Sequence, residues 1–180
     1  MKNYYVLNFE GNFIKEEINL FESKNNEWLL FKVKLEDYVS NNGLNFLNKI
    51  KIRSFPTVNF FVGHPNLVTN IHIDNRNLEW ALNYVWGSKN SEMSWHTETD
   101  SSVTEQTSAS TNYIVFDETK SLEIEKFNLY QKLVLVRINV PHRVQNISSD
   151  IRYCLSIRGF PKLNWNDIIN YLQPYLITNE

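Results

Sequence analysis

A chain of 180 residues carrying a net charge of −2 suits one domain with one substantial core. It has no Lys/Arg run to supply the electrostatic footprint of tight nucleic-acid binding. Its aromatic-rich, ordinarily hydrophobic composition argues for a folded chain rather than a disordered one, and its single cysteine cannot form an internal disulfide, which points to a reducing compartment or to indifference to redox.

In chain order, Tyr4 to Phe9 and Trp28 to Val33 read as strands, the second rich in bulky apolar residues. Leu44, Phe46, Leu47 and Ile50 recur near a helical turn within 37–50, which predicts a short helix packed on a sheet. Thr57 to Val62 is a strand by composition. Gly63-His64-Pro65-Asn66 is a turn, leading into a strand over Leu67 to Asp74. Trp80 to Trp86 follows as a strand with Trp80, Leu82, Tyr84 and Trp86 on one face and Asn83 on the other. Met93 to His96 is a short strand. Residues 97–112 (TETDSSVTEQTSASTN) are polar and nearly free of large apolar groups, so they are expected to form a loop, read either as a surface excursion or as a lid. Tyr113 to Phe116, Leu122 to Glu125, Leu133 to Val140 and Arg152 to Arg158 continue the strand series. The tail changes period: Trp165, Ile168, Ile169 and Leu172 fall at helical spacing behind Asn164, a capping residue, and Pro174 should end that helix. Many short strands with little helix between them indicate a sandwich or jelly roll.

The chemistry concentrates in Asn70-Ile71-His72-Ile73-Asp74 and Val140-Pro141-His142-Arg143-Val144. Strand alternation puts His72 and Asp74 on one face and Ile71 and Ile73 on the other. Alone, a His beside an Asp is as readily an edge-strand surface pair. Together with His142 the set becomes two imidazoles and one carboxylate, the facial triad that binds a divalent non-haem iron on one side and leaves the other open. Four protein ligands would instead have read as a structural site. Arg152, ten residues beyond His142, shares a strand face with Cys154, Ser156 and Arg158, an odd polarity for a core but a sensible one for a cavity that holds a carboxylate.

His-x-Asp, a distant second His and an Arg about ten residues later resemble the Fe(II)- and 2-oxoglutarate-dependent dioxygenases. The wording HRVQNISSDIRYCLSIR is similar to that family's as well, and the likeness covers roughly Thr57 to Gly159. It implies a double-stranded β-helix (jelly roll, cupin-like) with a few flanking helices, forming a single oxygenase domain. It also implies Fe(II) on His72, Asp74 and His142, which would be the catalytic residues, and 2-oxoglutarate as co-substrate with its distal carboxylate on Arg152. Arg158 is the reserve for that carboxylate. The implied reaction consumes dioxygen, releases succinate and carbon dioxide, and hydroxylates a substrate, a small molecule or a protein side chain, that the residues do not identify. One position departs from the pattern: where many members carry Ser two residues after the Arg, this chain has Cys154, with Ser156 two residues further along the same face as a co-substrate contact.

Asn83 is either a donor to the co-substrate or a satisfied sheet asparagine. Trp95 reads as a core tryptophan, Arg76 and Asn77 as turn residues within reach of a substrate, and His64 and His96 as non-ligands. Two readings from other classes stay open: a cupin-like metalloprotein that does not use 2-oxoglutarate, and a non-catalytic β-sandwich module in which the triad is coincidental. With no signal-like apolar core at MKNYYVLNFEGNF and no span-length apolar run, a cytoplasmic protein is expected. The abundance of Asn, Lys and Ile fits an AT-rich genome, a virus acting in the host cytosol included.

Overall fold

Strand is the main regular structure of the chain in the computed structural model, which describes residues 2–18, 28–74, 77–100, 102–106 and 112–177. In order these are β1 (Tyr4–Val6), β2 (Trp28–Val33), α1 (Leu35–Tyr38), α2 (Asn41–Lys49), β3 (Arg53–Ser54), β4 (Val58–Gly63), β5 (Leu67–Val68) and β6 (His72–Ile73). Then come β7 (Trp80–Trp86), β8 (Ser91–His96), β9 (Ser102–Gln106), β10 (Asn112–Phe116), β11 (Glu123–Asn128), β12 (Leu133–Arg137), β13 (His142–Asn146), β14 (Arg152–Ile157), β15 (Gly159–Phe160), α3 (Trp165–Leu172) and a closing 3-10 turn.

One sheet has the order β1-β12-β7-β14-β4-β2 and the other β11-β8-β13-β6-β10-β9, with β5 also on β13. Counting β4, β5/β6, β7, β8, β11, β12, β13 and β14 as strands one to eight, the sheets read six-three-eight-one and five-four-seven-two. Consecutive core strands therefore alternate between the two antiparallel sheets, except that four and five form a hairpin within the second. That is the double-stranded β-helix, a cupin-like jelly roll. β1 and β2 widen the first sheet and the β9–β10 hairpin widens the second.

Strand alternation sorts the side chains into two cores. Phe60, Val62, Leu82, Leu155 and Ile157 face outward from the first sheet and pack under Leu47, Trp165, Ile168 and Leu172 of the helices. Each of these buried aliphatic side chains is worth about 2 kcal/mol in apolar transfer. Ala81, Val85, Met93, Trp95, Val134 and Cys154 fill the space between the sheets. Trp95 is a core residue, fully buried and donating its indole N–H to Arg137 O at 2.9 Å.

Four expectations need correction. The helix over 37–50 is two pieces, because Ser40 is extended and its Oγ accepts from Gly43 N at 3.1 Å, capping α2 afresh. The strand over Leu67 to Asp74 is interrupted: Val68 opposes Gln145 and His72 opposes His142, so three residues on one strand face two on the other. This is a β-bulge next to the candidate ligands, and a bulge re-aims side chains. Residues 97–112 are not all loop, since Ser102–Gln106 forms β9 and pairs antiparallel with β10 from Gln106↔Asn112 to Ser102↔Phe116. An edge strand needs a neighbour's backbone more than its own apolar side chains, and β10 is itself anchored on β6. Of the segment 97–112 read as a loop or lid, 101 and 107–111 lie outside the described residues. Finally, Leu133 to Val140 leaves the sheet after Arg137. The tail helix is as expected, with Asn164 Oδ1 accepting from Asp167 N at 2.9 Å.

Candidate metal centre

His72 opens β6, Asp74 directly follows that strand, and His142 opens β13 directly opposite His72. Each imidazole is oriented by its own backbone. His72 Nδ1 lies 2.8 Å from Asn70 O and His142 Nδ1 lies 2.9 Å from Val140 O. Both rings thus donate Nδ1–H to a carbonyl two residues back and turn Nε2 outward, so that Nε2, once free of a proton, is the atom each would present to a metal. The Nε2 atoms converge on Asp74 Oδ1, at 3.2 Å for His72 and 3.8 Å for His142. The candidate ligand atoms of the three residues all lie within 4.8 Å of one another, and they are the one such group among the described residues. The donor set of two neutral imidazoles and a carboxylate suits a borderline divalent metal.

Asp74 uses its other oxygen differently: Oδ2 accepts from the Arg158 guanidinium. Arg158, the reserve for the distal carboxylate, is therefore engaged with the aspartate instead. Burial alone would raise the Asp74 carboxyl, but the Arg158 charge, the His72 hydrogen bond and the charges of the two histidines hold it far below the usual carboxylate range. Burial lowers His72, yet its hydrogen bond to Asp74 and the Asp74 charge outweigh this and leave its pKa above the ordinary histidine value. Burial and the neighbouring His72 push His142 down to about 4, so at neutral pH its imidazole is ready to ligate.

A cavity of about 80 Å³ opens between the sheets and is lined by the triad together with Arg152, Asn83 and Ser156. Arg152 is 2 % exposed. Its Nε donates to Ser91 Oγ at 2.5 Å, and it also bonds the Cys154 thiol. No carboxylate of the described residues pairs with it. A buried guanidinium without an anion is expensive, and burial accordingly lowers its pKa. The Cys154 thiol is raised by burial against the opposing pull of Arg152, so it sits there neutral. Asn83 and Ser156 are cross-strand partners, both buried, and Asn83 Oδ1 has no hydrogen-bond partner among the described residues.

Other candidates lie elsewhere. His64 and His96 do not line this cavity, and His96 Nε2 pairs with Ser94 Oγ at 2.8 Å. Asn77 borders a separate recess of about 280 Å³ that Arg158, Trp80 and Lys162 share. Arg76 is outside the described residues. Trp28, Thr69 and Met93 line the cavity without having been expected there. Only the inward phase of their strands hinted at them, and β2 precedes the stretch that carries the motif.

Neither a family model nor a curated protein matches this chain. Among solved structures it is similar to oxalate oxidase in complex with the substrate analogue glycolate, at TM-score 0.36 and 12% identity over 91% of this chain and 77% of that one. It is similar to E. coli ycfD at TM-score 0.41 and 10% identity over 93% of this chain and 44% of that one. Peruvianin-I, a cysteine peptidase from Thevetia peruviana latex, is similar at TM-score 0.34 and 14% identity, over 87% and 75%. Likenesses at this level carry no argument. The cupin-like fold stands on the strand order above, and the candidate metal centre on the grouping of His72, Asp74 and His142.

Proposed function

We propose that the chain is a non-haem Fe(II)- and 2-oxoglutarate-dependent oxygenase that hydroxylates a small molecule or a protein side chain. The observation that carries this reading is one cavity in which a candidate three-ligand metal set lies beside a buried arginine that no carboxylate of the described residues pairs with. Iron(II) and 2-oxoglutarate, once bound, supply the oxidising chemistry: dioxygen decarboxylates the 2-oxo acid to succinate and carbon dioxide, and the second oxygen atom goes to the substrate.

The chain's own residues prepare that chemistry. His72, Asp74 and His142 would hold the metal from one side. Arg158, by occupying Asp74 Oδ2, keeps the aspartate to one ligand atom and so preserves open positions for co-substrate and dioxygen. Arg152 would neutralise the distal carboxylate, gaining its missing partner in a site shielded from water. Asn83 and Ser156 supply polar groups along the body of the co-substrate. Phe61, Met93, Ile138 and Val144 line the same cavity and exclude bulk water. Among the described residues no helix is long and apolar enough to cross a membrane, and a cytoplasmic site of action remains part of the proposal.

Calorimetry with Mn(II) as an oxygen-tolerant probe tests the assignment. One metal per chain should bind first, and 2-oxoglutarate should bind only to the metal-loaded protein. His72→Ala should abolish both events, while Arg152→Ala should leave the metal and weaken 2-oxoglutarate by at least about tenfold. Metal binding without 2-oxoglutarate binding would select the cupin-like alternative. No metal binding at all would reduce the triad to coincidence.

A further inference from the structure

Residues directly opposite one another in antiparallel strands share a face. Gly63 lies opposite Trp28 on β2 and opposite Arg152 on β14. Indole and guanidinium therefore point into the same interior, with only a glycine between them. A Cβ at Gly63 would stand 2.2 Å from Trp28 Cζ3, so the ring lies flat across the space that a side chain there would fill. The Arg152 guanidinium sits 5.6 Å from the ring centroid, and both residues line the cavity of the metal centre.

The second observation is a missing bond. Trp28 Nε1 is buried and has no hydrogen-bond partner among the described residues. An indole N–H can only donate, and burying a donor without an acceptor is costly enough to need a reason. The neighbouring groups do not supply one. Ser91 Oγ already accepts from Arg152 Nε, and Cys154 bonds Arg152 through a thiol, which is a weak partner.

We propose that Trp28 is a co-substrate-binding residue: its Nε1–H and the Arg152 guanidinium together grip the distal carboxylate of 2-oxoglutarate, and Gly63 is the gap that lets them converge. This rests on the oxygenase reading and adds to it the second donor of the carboxylate subsite. One carboxylate answers both needs at once, the guanidinium's uncompensated charge and the indole's unused N–H, the latter by a charge-assisted hydrogen bond. A purely structural Trp28 would need only its ring, which shields Arg152 and stacks near it.

The two roles separate in Trp28→Phe, which keeps a ring over Gly63 and removes the donor. The measurement is anaerobic titration of the Fe(II)-loaded protein, following binding of 2-oxoglutarate and of 2-oxopentanoate, which lacks the distal carboxylate. Wild type should prefer 2-oxoglutarate strongly. In Trp28→Phe, 2-oxoglutarate should weaken about tenfold with 2-oxopentanoate and Fe(II) affinity unchanged. Equal weakening of both acids, or of neither, would overturn the assignment and leave Trp28 a packing residue. A wild type that binds 2-oxopentanoate as well as 2-oxoglutarate would sink the oxygenase reading itself, and this proposal with it. As a readout independent of the variant's folding, the indole N–H resonance of Trp28 in the Zn(II)-loaded protein should move downfield on adding 2-oxoglutarate and stay in place on adding 2-oxopentanoate. A Trp28 resonance unmoved by 2-oxoglutarate would overturn the assignment.

Discussion

Asp74 is the residue on which the centre turns, because its two oxygens do separate jobs: Oδ1 faces both Nε2 atoms and Oδ2 is taken by Arg158. Arg158→Met removes the guanidinium and keeps much of the aliphatic bulk. Metal affinity should then fall about 10- to 100-fold, as for other residues that orient a ligand, read by Mn(II) calorimetry. Unchanged affinity would make the ion pair incidental. His142 gives a pH prediction. Its folded pKa of about 4 lies below the unfolded value of about 6.5, so between those pH values the unfolded chain binds the extra proton and stability rises with pH. The contribution is fully present above about pH 6.5 and is lost as pH falls toward 4. In chelator-treated protein, the denaturation midpoint should therefore drop more steeply from pH 7 to 4 in wild type than in His142→Gln. Parallel slopes would contradict the depressed pKa. At this scale the triad was legible in the sequence, because strand alternation alone puts His72 and Asp74 on one face. The partner of Arg158 was not, since it lies 84 residues away along the chain and nothing local marks it.

At the scale of elements, β13 and the turn after β4 are tied by one side chain. Asn146 is fully buried, and its Nδ2 donates to Gly63 O at 3.1 Å, His64 O at 3.0 Å and Asp150 O at 2.8 Å. It thereby fixes the far end of the strand that opens with His142, and it fixes the residue that separates Trp28 from Arg152. Asn146→Ala strands the carbonyls of Gly63 and His64, whose bonds are buried, and frees that of exposed Asp150; it should cost about 3 kcal/mol, one unsatisfied buried group being worth about 1–3 kcal/mol. Urea denaturation checks it, and a loss under 1 kcal/mol would show that the turn holds without the side chain. The same scale explains where sequence reading stopped. β7, β12 and β14 were legible because buried β-branched and aromatic runs announce themselves. The β9 strand was not, because its pairing with β10 is a backbone affair that polar side chains conceal. The break between β5 and β6 was also hidden: an inserted residue leaves no compositional trace, although it changes which face the next side chain takes.

For the whole molecule, the alternation of consecutive strands between two sheets brings β6, β13 and β14 to one cavity although they are far apart in sequence. The jelly roll was legible as a class from short strands at close spacing. The cavity's contents were legible only in part, because β2 enters from outside the eight-strand core and carries Trp28 with it. The helices take no part in lining the cavity and cover the opposite face of the first sheet, so the scaffold is stabilised on one side and left free for chemistry on the other. The most direct test of the central claim is the anaerobic absorption spectrum of the protein as Fe(II) and then 2-oxoglutarate are added. A visible metal-to-ligand charge-transfer band should appear in wild type, be absent in His72→Ala, and require about tenfold more 2-oxoglutarate in Arg152→Ala. Iron bound with no band at saturating 2-oxoglutarate would contradict the oxygenase assignment.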